Sequence, residues 1–213
     1  MSQDKLSRLN GWCLALSGVL LALFFVLHPG GGDPPSAQTV VSSAYAWEHT
    51  LGVASMILML AGLAGFYARH SAALGKLGLL GFVIAFAGTA LLMGVMFFDA
   101  YLVPIIAVAA PQLLAHDGPL NTLPGLLALA VPGMIWGLGY VVLGAAILRT
   151  DKSLRYAALL LIAGSIVIDL PPQPVGPTPL FVIALGAVAL GVGLGWLGLR
   201  DAGGATASAP ETG

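Results

Sequence analysis

The chain has 213 residues, of which 58% are hydrophobic and only 8% charged, and eight Lys and Arg against nine Asp and Glu leave a net charge of -1. Soluble domains carry about 25% charged residues, so a water-soluble globule is excluded and lipid must solvate most side chains. No basic cluster is present, which excludes a nucleic-acid partner. The single cysteine, Cys13, excludes an intrachain disulfide or a CxxC metal or redox motif, and reads as packing.

In chain order the apolar runs are 10–27, 50–68, 78–98, 123–148, 156–168 and 179–199, none with an Asp, Glu, Lys, Arg or His inside. All but the fifth match the ~20 residues that cross a hydrocarbon core, and the fifth does so with its flanks. The predicted fold is all-α, an integral membrane bundle of six transmembrane helices. It forms one domain over residues 1–200, with 201–213 a disordered cytoplasmic tail.

Basic residues orient the bundle. Lys5 and Arg8 precede the first run, Arg69 and Lys76 separate the second from the third, Arg149, Lys152 and Arg155 separate the fourth from the fifth, and Arg200 follows the sixth. With Lys5 inside, all eight fall on the cytoplasmic side, which predicts a plasma-membrane protein with both termini cytoplasmic. The first run has the basic start of a signal peptide, but Ala44-Tyr45-Ala46, the nearest cleavage-like triplet, lies too far beyond it. It is expected to remain as an anchor.

Three loops then face outward, at 29–46, 99–122 and 170–178. The first holds Pro29-Gly-Gly-Gly-Asp33-Pro and reads as extended turns. The second is apolar but broken by Pro104 and Pro111, which predicts a short interfacial helix that could form a lid. The third is a stiff proline-rich connection. Among 29 glycines, Gly133-x-x-x-Gly137 and Gly191-x-x-x-Gly195 place pairs one turn apart, as close helix packing requires. A faint echo between 65–88 and 144–164 fits either a parallel duplication or shared Ala, Gly and Leu composition.

The outward ionisable groups are His28, Asp33, Glu48, His49, Asp99, His116, Asp117 and Asp169, with no Lys or Arg among them. Asp99 and Asp169 are expected at carboxyl ends of helices, where the macrodipole opposes them by about 0.3–1 kcal/mol at an exposed site. Such carboxylates need a histidinium, a proton, a partner protein or a metal ion. His28, Glu48, His49, Asp99 and His116 form the candidate metal set, since His and carboxylate ligands suit zinc or non-haem iron. The plainer reading is a rim of polar caps.

Met56, Met59, Met93, Met96 and Met134 could add soft ligands for copper, although methionine is also ordinary core filler. Haem b held between two histidines is a further alternative, with its ligands near the outer surface. Ser55, Thr89 and Pro132 could line a small-solute transport path, but the spans lack the midplane carboxylates of coupled pumps. No GxSxG, Walker or dinucleotide-binding fingerprint occurs. The expected function is a non-enzymatic binding or accessory subunit that contacts lipid and another membrane protein and binds a transition metal at its outer rim. A membrane-embedded, metal-dependent hydrolase built on the same cluster is the alternative.

Overall fold

The structure, a computed structural model, describes residues 3–28, 37–115, 117–169 and 180–204. Every regular element among them is helical. Besides three short 3-10 turns, in order these are α1 (Gln3–Leu27), α2 (Ala37–Val40), α3 (Ser43–Phe97), a π-helical turn (Phe98–Leu102), α4 (Val103–Ala109), α5 (Leu123–Thr150), α6 (Arg155–Ile168) and α7 (Leu180–Gly204). Among the described residues, four helical stretches are long and apolar enough to cross a membrane: Asp4–Leu27, Ser43–Ala109, Leu123–Thr150 and Leu180–Gly203. Large apolar side chains such as Leu16, Ile57, Val83, Leu159 and Val192 face outward, about half exposed, as lipid-facing surface requires.

The second and third apolar runs fall in one element. Gly75 interrupts α3 with φ 59° and ψ -155°, a conformation open to glycine alone. The two arms of α3 fold back on each other there. Tyr67 stacks on Phe82 at 4.4 Å, and toward the far end Met96 packs on Gly52. The remaining neighbours are also antiparallel. Gly62 meets Leu14 and Gly65 meets Asn10 between α3 and α1, Gly18 meets Gly191 between α1 and α7, and Gly164 meets Leu190 between α7 and α6. Gly88 meets Trp136 between α3 and α5. At these crossings a Cβ would collide with the opposing helix, so glycine sets the interhelical distance and dispersion holds it.

The core closes on Leu14, Leu21, Met56, Met59, Trp136, Tyr140, Leu161 and Leu190, all essentially inaccessible. Ser17, Ser55, Thr89 and Ser165 are buried too, and each hydroxyl donates to a backbone carbonyl, of Leu14, Ser17, Ala85 and Leu161 respectively. That satisfies donors that hydrocarbon could not.

Several expectations are refined. The interfacial helix predicted over 101–115 begins instead as a π-turn continuing α3, and Val103 and Ala107 of α4 pack on Val40 and Tyr45. Asp99 therefore stands inside a continuing helix and escapes the carboxyl-end penalty, whereas Asp169 does cap α6. α6 has 14 residues, a rise of only ~21 Å. Met134, expected among the core methionines, is 63% exposed. α7 runs to Gly204, so the first residues of the expected tail are helical, and residues 205–213 lie outside the described residues. Asp33, His116 and the 170–178 connection also lie outside them.

Candidate metal centre

α1 ends at Leu27, and α3 starts behind Ser42, whose hydroxyl accepts from the Tyr45 amide at 3.2 Å. This places His28 at the tip of α1 beside Glu48 and His49 in the second turn of α3. His28 Nδ1 and His49 Nδ1 each stand 2.9 Å from Glu48 Oε1. The other oxygen, Oε2, is 3.2 Å from His28 Nδ1. His49 Nε2 points the opposite way, 3.9 Å from Asp99 Oδ2. One ligand atom from each of His28, Glu48 and His49 can be chosen so that all lie within 4.8 Å of one another. Tetrahedral donors bound to a common ion at 2.0–2.2 Å stand about 3.4 Å apart, so the three groups must draw together to close on one ion.

Two positions supply the frame that residue types alone do not reveal. His49 Nδ1–H donates to the Tyr45 carbonyl at 2.9 Å, leaving the lone pair on Nε2. Phe24 packs against both imidazoles, its ring centroid 5.5 Å from His28 and 5.4 Å from His49. Tyr45 precedes His49, and Phe24 precedes His28, by one helical turn, the spacing that could have nominated them.

Burial sets the electrostatics. Glu48 and His49 are each 3% exposed, while His28 is about a third exposed and opens the cluster outward. Glu48 Oε1 is buried and receives no hydrogen bond, because neither nearby ring nitrogen meets it along a hydrogen-bonding direction. A buried carboxylate without compensating charge costs several kcal/mol on the order given by ion desolvation. Arg69 lies 21 residues along the same helical arm from Glu48, or ~31 Å, one hydrocarbon thickness away. Positive charge at the cluster must therefore come from a histidinium or a bound cation.

The π-turn at Phe98–Leu102 is what aims Asp99. It adds a residue to one helical turn, shifting register where α3 meets α4, a device common at functional sites. Among the described residues, Asp117 and Asp169 stay apart from the cluster. Asp117 sits in an exposed turn, and the Asp169 carboxylate lies over Gly133 and Gly137 of α5. Gly137 is twelve residues, ~18 Å, from Arg149, which brings Asp169 deeper than its place at a helix end implies. The pair Gly133 and Gly137, expected to seat a helix, thus seats a carboxylate.

At the opposite end a second polar group joins α1, α3 and α7. Buried Asp201 lies 3.7 Å from Arg69 Nε and 3.6 Å from His70 Nε2, and Arg69 also donates to Ser7 Oγ and to the Asp201 carbonyl. Nearby, Asp151 accepts from the Ser153 amide at 2.8 Å, and hydrogen bonding from the Ser153 side chain first, then from backbone amides, with the Arg200 charge, holds its carboxyl below the usual carboxylate range. The molecule is thus an all-helical membrane protein with a convergent His–Glu–His cluster at one end and its basic residues at the other. No family model, no curated protein and no solved structure matches the chain.

Proposed function

We propose that the protein crosses the plasma membrane six times, with both termini cytoplasmic, and binds one transition-metal ion at its outer surface through His28, Glu48 and His49. The convergence of three donors around a buried, unbonded carboxylate oxygen carries this reading. His49 reaches that ion through Nδ1, the nitrogen facing Glu48, giving up its Tyr45 bond, and Asp99 then holds the N–H at Nε2. His116 belongs to the proposed set by sequence alone. The two imidazole rings lie edge to face at 5.4 Å with Glu48 reaching both, which favours a single ion over a flat macrocycle between them. The role is that of a non-enzymatic binding or accessory subunit. Supporting the six crossings, each arm of α3 is long enough to span, and the chain reverses at Gly75 between basic residues Arg69 and Lys76.

The test is elemental analysis of purified protein after exposure to zinc, iron(II) or copper and removal of excess. One equivalent is expected in the wild type, and less than about a tenth as much in His49→Ala or Glu48→Gln, since each removes a direct ligand. Absence of metal in wild-type protein that remains folded would sink the proposal.

A further inference from the structure

α1 and α7 touch backbone to backbone. Gly11 faces Gly198, Gly18 faces Gly191, and a Cβ at any of these would collide with the partner helix. Beside that line of contact no side chain is large enough to fill the space. Gly18, Ala22, Gly191 and Gly195 form the floor of an open groove of about 740 Å³, with Leu23 and Trp196 among its walls. A Cβ on Gly195 would meet nothing within 4 Å. Half of the Gly191-x-x-x-Gly195 motif therefore packs helices, and the other half leaves a trough.

The groove ends at Arg200. This guanidinium has no hydrogen bond and no ion pair among the described residues. Of the acids nearby, Asp201 is engaged by Arg69 and His70, while Asp151 bonds the Ser153 amide and feels the Arg200 charge only at a distance, without an ion pair. A second guanidinium stands on the same face: Arg155 lies 4.4 Å over the Tyr156 ring, which in turn stacks on Trp196 at 6.3 Å. Aromatic rings and arginines together mark the level of the headgroups.

Length decides the occupant. From Val188 to Arg200 the groove follows twelve residues of α7, or ~18 Å. That is slightly more than one leaflet of a ~30 Å core. A helix from a partner or a second copy would seek contact across the whole core. An acyl chain needs one leaflet and an anchor for its phosphate. We propose that this groove binds one acyl chain of an anionic phospholipid, whose phosphate pairs with Arg200. Arg recognises phosphate through two parallel N–H bonds, a geometry Lys cannot supply. The inference requires only that the chain resides in a bilayer and is independent of the metal centre.

Native mass spectrometry of the full chain, titrated with phosphatidylglycerol or with phosphatidylcholine of the same acyl chains, tests it. Wild type is expected to retain one phosphatidylglycerol with roughly fivefold preference, the size of one cation acting on an anionic headgroup. Arg200→Gln should abolish the preference while keeping weak binding of both lipids. Gly195→Leu, which fills the groove where space is open, should displace both with unchanged circular dichroism. Equal retention of the two lipids by wild type, or binding undisturbed by Gly195→Leu, would overturn the proposal. So would a dimer in wild type that Gly195→Leu dissociates, because the groove would then be filled by a second copy.

Discussion

The carboxylate of Asp169 rests on the bare backbone of Gly137, in a space that any Cβ at position 137 would occupy. The contact joins the cap of α6 to the middle of α5. Gly137→Ala is expected to destabilise the protein by about 1–3 kcal/mol through overpacking, read as a lowered thermal midpoint in detergent. In an Asp169→Ala background the same substitution should cost much less, since the obstructing oxygen is gone. Equal cost in both backgrounds would separate Gly137 from Asp169.

Gly75 carries the reversal of α3 in a backbone conformation closed to other residues, yet a Cβ there meets nothing within 4 Å. The penalty of Gly75→Ala is therefore purely conformational, about 1–3 kcal/mol. Gly94 is the matched control, because it is regularly helical and equally uncrowded. Gly94→Ala should be neutral or stabilising by about 0.5–1 kcal/mol. Thermal unfolding of the two variants should move in opposite directions.

Buried Asp201 is shared by His70 and Arg69, and Arg69 is the partner that is charged at every pH. Arg69→Leu should cost about 1–3 kcal/mol, less than the ~3–5 of a fully buried pair because Arg69 is about a third exposed. Asp201→Asn should cost less, since it leaves no buried charge behind. Denaturation of the two variants side by side checks the order.

Asp151 provides a pH signature at the basic end. Its folded carboxyl is held low by the Ser153 hydrogen bonds, so the folded state binds fewer protons than the unfolded chain near pH 4. The stability it contributes is complete above the unfolded value, about 3.9, and is lost as pH falls through the lower folded value. Asp151→Asn should remove that contribution at neutral pH, leave stability below the folded value unchanged, and so flatten the acid limb of the stability curve. An unaltered limb would mean other carboxylates govern it.

Metal retention should follow the imidazoles. Ligating nitrogens must be unprotonated, so bound metal is expected to fall as the pH is lowered. Metal analysis across pH 5–8 checks this, with Asp99→Asn predicted to weaken retention more mildly than Glu48→Gln. Retention independent of pH would place the metal on carboxylates instead.

Composition alone determined that this is a helical membrane protein, because 17 charged residues cannot solvate a core of this size in water and only internally bonded helices satisfy the backbone in lipid. The positions of the basic residues likewise ordered the two ends of the bundle. His28, Glu48, His49 and Asp99 could be nominated as outward groups without cationic partners. Their convergence could not. It depends on the antiparallel seating of α1 against α3, on the Tyr45 carbonyl that turns His49, and on the π-turn that aims Asp99. The glycines tell the same story: spacing marks small residues one turn apart, but only packing decides that Gly191 meets a helix, Gly137 a carboxylate and Gly195 open space. Periodicity along a chain is a local property, whereas the neighbour across an interface is set by helix offsets of a few ångströms that no single segment encodes.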